Sequence, residues 1–399
     1  MRRNISVAEA VEAVRAAAPE PRPHEVTLHK AHGRVLAESV VAVRDQPPFD
    51  ASAMDGYAVT RRHRGPLQII GESVAGRGFG GALKAGEAVR IFTGAPVPLD
   101  ARAVIIQEHV ARDGDAVTVL PEGMKARKTF IRPAGGDFRA GDLLLKRGQR
   151  LDAWALTMAA AAGCGTVHVA KRPRVAVLAN GDELVAAGES PRDDQVFESA
   201  SFAVMALAKS WGAKALFAGH AADSEKAILK TLKGVKADLI VTIGGASVGD
   251  HDLVKPALDR LGLVTDFVSV NVRPGRPTWF GRLGDGTHVL GLPGNPASAL
   301  VCAELFLRAF VAAALGHVTA GMVKAVLSAD TPADGPREAY LRAALAIDDK
   351  GVLRVTPFRE QDSSLIQVFA QSGALIRVPP GAERLKAGTA VEVIVLDRM

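Results

Sequence analysis

Cysteine is nearly missing: Cys164 and Cys302 are the two in a chain of 399 residues. Two thiols cannot build a disulfide framework, a CxxC redox pair or a four-thiolate zinc site, and a reducing, cytosolic compartment fits that scarcity. Aromatic residues are also sparse, at 5%, and they do not interleave with the basic clusters, which argues against nucleic-acid binding by base stacking. No run of 18 apolar residues is found; the nearest approach, from Leu305 onward, is broken by Arg308, so no membrane span is expected. The N-terminal MRRNISVAEAVEAVRAAA has basic residues but no apolar core of a signal peptide, and reads as an amphipathic helix. A soluble chain is expected.

What is present is ordinary globular material. Apolar residues make up 48% and charged residues 23%, enough to bury a core and too little charge for disorder to dominate. At about 100–200 residues per domain the length implies two to four domains. The net charge of +6 is spread over short clusters, Arg61/Arg62/Arg64, Lys125/Arg127/Lys128 and Lys171/Arg172/Arg174. Such clusters read as solvated faces and linkers, while the overall basic balance suits a small anionic substrate.

The texture changes along the chain. Ser6 can cap a helix whose apolar positions Val7, Ala10, Val11 and Val14 keep helical spacing. From 46 to 137 short β-like runs, such as Leu67–Ile70, Val89–Phe92 and Val104–Ile106, are separated by Gly and Pro. Residues 1–45 and 138–171 bracket this β-rich insertion and are expected to form one discontinuous domain. From 172 to 318 strands (Val175–Leu178, Ala215–Ala218, Leu239–Ile243) alternate with helices, which predicts a doubly wound α/β/α domain with a parallel sheet. Short strands recur over 319–399, ending at Ala390–Leu396, and predict a small β-barrel or sandwich. The fold class is therefore multidomain α/β plus β.

Three loops in the α/β segment carry anion-binding chemistry. The strand ending at Ile243 runs into Gly244-Gly245-Ala246-Ser247-Val248-Gly249-Asp250-His251-Asp252. Its glycines let backbone N–H groups approach a phosphate, Ser247 adds a hydroxyl, and Asp250 and Asp252 offer oxygen ligands for Mg²⁺. Arg273-Pro274-Gly275-Arg276-Pro277 projects two guanidiniums from a stiffened turn. In Leu292-Pro293-Gly294-Asn295-Pro296, Asn295 stands at an N-cap and Pro296 opens a long helix. Carboxylates gather at neighbouring strand ends: Asp182 and Glu183 in Asn180-Gly181-Asp182-Glu183-Leu184, and Asp223. Asp55 lies apart, at the start of the β insertion. Together they point to metal binding and water activation rather than hydride transfer.

In this order FDASAMDGYAV, IFTGAPVP, NGDEL, IGGASVGDHD, RPGRP and LPGNPAS resemble the molybdopterin molybdenumtransferases, relatives of the C-terminal domain of gephyrin, over residues 5 to 396. The resemblance implies a homodimer of four-domain subunits, each active cleft shared between the α/β domain of one subunit and the β insertion of the other. It implies insertion of molybdate into adenylylated molybdopterin with release of AMP and molybdenum cofactor, assisted by Mg²⁺. Carried over by motif, Asp55, Asp137, Glu183, Asp223 and Asp252 are the functional carboxylates, with Pro293 and Pro296 shaping a pocket that also takes in Gly244, Gly245, Ser247, Gly249, Gly294 and Asn295. A molybdopterin adenylyltransferase upstream, and molybdoenzyme acceptors or chaperones downstream, are the implied partners. Arg273 and Arg276 replace the usual lysines, Ala200 in Val196-Phe197-Glu198-Ser199-Ala200 stands where the family has Asn, and Gln361-Asp362-Ser363-Ser364 replaces a glycine-containing turn. The alternatives are an adenylyltransferase, which needs a similar α/β domain without the insertion, and a divergent paralogue with a scaffold role.

Overall fold

The computed structural model describes residues 1–245, 253–318, 321–332 and 335–396. Its centre is a six-stranded sheet ordered Lys214–Ala221, Arg174–Asn180, Leu239–Ile243, His288–Leu292, Trp279–Arg282 and Val264–Phe267. The first four strands are parallel, and the last two join through antiparallel pairings. Arg174–Asn180 and Leu239–Ile243 are buried almost throughout, because a parallel sheet covered on both faces has no solvent side. The faces separate with period two. Val175, Val177 and Val241 pack with the helix Ala200–Ser210, whereas Ala176, Leu178 and Ile240 pack under the helix Glu225–Leu232.

The core helix Pro296–Leu315 begins nine residues before the apolar run read from Leu305. By length and composition it could cross a membrane, yet 78% of its apolar window is buried inside the protein. It contains a π-helical stretch, Ala303–Leu307, and carries the Glu304–Arg308 ion pair at 3.2 Å. The helix Val7–Ala16 lies against it. Ser6 and Glu9 form a capping box, and Val7, Ala10 and Val14 enter the α/β core.

Three two-stranded ladders carry the chain out to the β-rich region and back: Pro23–Thr27 with Thr166–Ala170, Val40–Val41 with Leu143–Leu145, and Ala51–Ser52 with Ile131–Arg132. The first two share a core of Leu36, Val40, Leu145, Ala155 and Val167, among others, while Ile131 of the third packs against the β-rich sheet. Between them a mixed six-stranded sheet runs Ala103–Ile106, Gly56–Val59, Glu87–Ile91, Pro66–Ser73, Ala116–Val119 and Val110–Asp113.

The C-terminal strands close into a five-stranded barrel, because Glu338–Ile347 pairs with both Leu353–Pro357 and Ala374–Val378. A sixth strand, Val272–Arg273, reaches from the α/β region and pairs in parallel with Glu338–Ile347.

Candidate functional site

From Arg174–Asn180 the chain crosses to Lys214–Ala221 on one side, then returns to Leu239–Ile243 on the other. That reversal opens a crevice at the carboxyl ends of adjacent strands, where doubly wound sheets bind ligands. A cleft of about 790 Å³ lies there, lined by Asn180, Glu183, Asp223, Gly244, Gly245, Pro293, Gly294, Asn295 and Pro296, among others. The backbone of Gly244 is left-handed, with φ +93°, and a Cβ there would run into the Asn180 carbonyl oxygen; the close approach of these two strand ends requires glycine.

Asn180, 4% exposed, donates its amide nitrogen to the Asp223 carboxylate. Its amide oxygen is buried and has no hydrogen-bond partner among the described residues. Asp182 and Asp223 brace each other: the Asp223 N–H donates to Asp182 Oδ1 at 2.9 Å and the Asp182 N–H to Asp223 Oδ2 at 3.3 Å. His220 Nε2 contacts the Gly181 carbonyl at 2.7 Å. The result is a fixed edge of oxygen atoms, with Glu183 exposed to solvent beside it.

A second cavity of about 590 Å³ adjoins the cleft and shares Pro277, Pro293 and Asn295 with it. Its wall holds Arg273, Arg276, Arg337 and Arg359 against one carboxylate, Asp362, so its field favours an anion. The arginine turn is seated tightly. Thr278 Oγ1 donates to the Gly275 carbonyl at 2.7 Å, and a side chain on Gly275, φ +116°, would strike Cys302 Sγ. Burial pushes the Cys302 thiol up to about 12, which leaves it an inert packing group. Arg276 also donates to Asn4 Oδ1 at 3.3 Å.

The opposite wall comes from the barrel. Arg342, fully buried, donates to Gln361 Oε1 at 3.3 Å and to the Asp362 carbonyl at 2.9 Å, holding the loop over 361–364. The Ser364 hydroxyl and N–H, with Arg342 nearby, hold the Asp362 carboxyl below the usual range. Asn295 occupies the N-cap position but does not cap with its side chain; its amide donates instead to Ser363 Oγ at 2.9 Å. The expected cap is thus a strut between the α/β region and the barrel.

Asp55 and Asp137 lie elsewhere. Asp137 lines a cavity of about 610 Å³ with Gln46, Pro47, Gly94 and Arg132, and no residue lines both this cavity and the cleft. Asp55 Oδ1 accepts from the Thr93 N–H at 2.7 Å and the Thr93 hydroxyl at 2.8 Å. These two bonds, with Arg90 nearby, hold its carboxyl below the usual range. Ser247, Gly249, Asp250 and Asp252 lie outside the described residues.

Comparison with known proteins matches residues 5–163 to the MoeA N-terminal region (domain I and II), 176–313 to a probable molybdopterin binding domain, and 324–396 to the MoeA C-terminal region (domain IV). The chain is 31% identical to the molybdopterin molybdenumtransferase of Haemophilus influenzae over 92% of both proteins. The chain belongs to this family. It is 34% identical to the Nostoc sp. molybdopterin molybdenumtransferase, covering 93% of this chain and 88% of that one. Its fold is similar to the Pyrococcus horikoshii MoeA protein, at 28% identity and a TM-score of 0.84 over 100% of both chains. As a member of the family it is a transferase of molybdenum cofactor biosynthesis, processing a molybdopterin-related substrate.

In the molybdopterin molybdenumtransferase frame, the donor set can be tested for a cation. Among the described residues no three His, Cys, Asp or Glu side chains converge as a metal site. The cleft nevertheless offers hard oxygen atoms, the unpartnered Asn180 Oδ1 and the Glu183 and Asp223 carboxylates, and these fit Mg²⁺ rather than a thiolate-loving metal. Sequence reasoning gave no role to Asn180, although it stood in the quoted NGDEL run, and passed over Arg337 and Arg359. Those two arginines sit in loops of the barrel region without a motif; only the tertiary fold brings them to the turn.

Proposed function

We propose that the cleft binds adenylylated molybdopterin, that molybdate is taken up beside it by the arginine-lined cavity, and that AMP and molybdenum cofactor are released. The observation that carries this reading is the buried Asn180 Oδ1, unpartnered among the described residues, next to Glu183 and Asp223 at the sheet reversal. A buried polar atom left without a partner is costly, and a ligand or cation completes it. Mg²⁺ would be held here by Asp223 and the Asn180 amide oxygen, with Asp250 and Asp252 proposed as further ligands from the sequence motif alone; when bound it would neutralise charge on a phosphoanhydride. Glu183, the exposed carboxylate, orients and deprotonates the attacking water. Asp223 is held by Asn180 and by the Asp182 N–H, so it acts as a fixed acceptor. Arg273 and Arg276 clamp oxyanion oxygens with the planar fork of the guanidinium.

The working unit is a two-fold homodimer in the cytosol, with Asp55 and Asp137 of each subunit serving the partner's cleft. Support comes from the separate cavities within one chain and from Asp55, which is ionised by Thr93 yet bonded to none of the cleft residues described above. The substrate then comes from a molybdopterin adenylyltransferase, and the product passes to molybdoenzymes or their chaperones. The test is direct. Purified protein given adenylylated molybdopterin, molybdate and Mg²⁺ releases AMP in a molybdate-dependent way. Failure to release AMP, with ATP-dependent adenylylation of molybdopterin in its place, would establish the adenylyltransferase reading; the β-rich sheet bearing Asp55, superfluous to that reaction, favours the first.

A further inference from the structure

Phe197 is the one aromatic side chain among the described residues lining the cleft, and it is 49% exposed. It sits on the short strand Val196–Phe197, paired in parallel with Leu184–Val185. The backbone is pinned on both sides of the ring. The Val196 N–H donates to the Glu183 carbonyl at 2.8 Å, and the Glu198 N–H to the Val185 carbonyl at 2.8 Å. Glu198 is buried and accepts from the Ser201 N–H at 2.8 Å and its hydroxyl at 2.6 Å, anchoring the strand to the helix behind it. Ala200, small and buried, also lines the cleft, together with the apolar side chains of Leu184, Val196 and Ile366. The same lining holds Asn180, Glu183 and Asp223, so one cleft presents an aromatic side chain and a cluster of polar oxygens.

We propose that Phe197 is a stacking platform for the planar heteroaromatic end of the substrate, a proposal that rests on the cleft being the substrate site. Adenine and pterin share the required chemistry, a flat π-surface on a phosphate-bearing chain. A ring on a pinned backbone, with two rotatable side-chain bonds, loses little entropy on stacking, and stacking on an aromatic face discriminates weakly by sequence or substituent but strongly by planarity.

The experiment is calorimetric titration of AMP, neopterin phosphate and ribose 5-phosphate into the wild type, Phe197→Leu and Phe197→Tyr. Leu keeps apolar bulk and removes the π-face; Tyr restores the face. Phe197→Leu is expected to weaken AMP or neopterin phosphate about tenfold, about 1.4 kcal/mol, leaving ribose 5-phosphate unchanged, with recovery in Phe197→Tyr. Loss confined to AMP assigns the platform to adenine; loss confined to neopterin phosphate assigns it to the pterin. Unchanged binding of both ring ligands in Phe197→Leu, or an equal loss for ribose 5-phosphate, overturns the proposal while leaving the cleft reading intact. A wild type that binds none of the three overturns both. Should Phe197→Leu fold poorly, Phe197→Trp reads the contact directly: its added indole emission is quenched by a stacked ring ligand and not by ribose 5-phosphate, and no quenching counts against stacking.

Discussion

The two carboxylate-bearing regions of the subunit are built in opposite ways. At the carboxyl edge of the parallel sheet, topology does the assembly: three strand ends lie side by side and deliver Asn180, Asp223 and Gly244 to one crevice. Its polar atoms are left incomplete, with Asn180 Oδ1 unpartnered among the described residues. In the β-rich sheet one pair of strands, with Gly56 opposite Ile91, brings Thr93 onto Asp55. Asp55 is fully prepared by Thr93 and held ionised without any ligand. One region waits for a partner to satisfy it, and the other presents a finished charge.

The sharpest test of this contrast is removal of the waiting carboxylates. Glu183→Ala and Asp223→Ala are each expected to slow AMP release at least about a hundredfold, the usual scale for a general base, with unaltered thermal unfolding for Glu183→Ala. Normal turnover in either would return that residue to a local capping role. Next in size is subunit mixing. Asp55→Ala and Glu183→Ala proteins, inactive alone, should regain about a quarter of wild-type sites after random exchange, since half the dimers are mixed and each has one intact site. No recovery after exchange verified by differential tags would place both residues in one subunit's site.

Smaller effects follow for the rims of the two regions. Arg273→Ala and Arg276→Ala should raise the apparent KM for molybdate severalfold and lessen its salt dependence, while Lys at either position keeps most of the activity. Identical kinetics for Ala, Lys and wild type would make the turn a packing element on Cys302. Smallest is the effect of Thr93→Val, which removes the hydroxyl bond to Asp55 and leaves the backbone one. Asp55 is depressed in the folded protein, so it stays charged down to lower pH than a free aspartate; weakening its partner moves the acid limb of the kcat/KM profile to higher pH. An unmoved acid limb would mean that Asp55 is not the group titrating there.

Much of the architecture was legible because it is local. Apolar, Val-rich runs such as Val175–Leu178 read as short buried strands, and Ser6 marks its own helix start. The barrel was visible only as a choice between barrel and sandwich, because closure depends on Glu338–Ile347 finding Ala374–Val378. The site divided along the same line. Glu183, Gly244 and Pro293 stand in motifs at strand ends and could be named from sequence, whereas Arg337, Arg359 and Ser364 reach the cavities from a separate domain. Asn295 was correctly placed at the N-cap, but the partner of its side chain, Ser363, lies 68 residues away and could not be read locally.

The strand Val272–Arg273 adds its two residues to the barrel wall, Val272 opposite Glu338 and Arg273 opposite Ala339. A lever fixed at both ends cannot swing. Asn295, tied to Ser363, adds a second link between the barrel and the floor of the cleft. Cutting the chain after residue 318 would therefore do more than shorten it, for the α/β region would lose the rail on which its arginines are mounted.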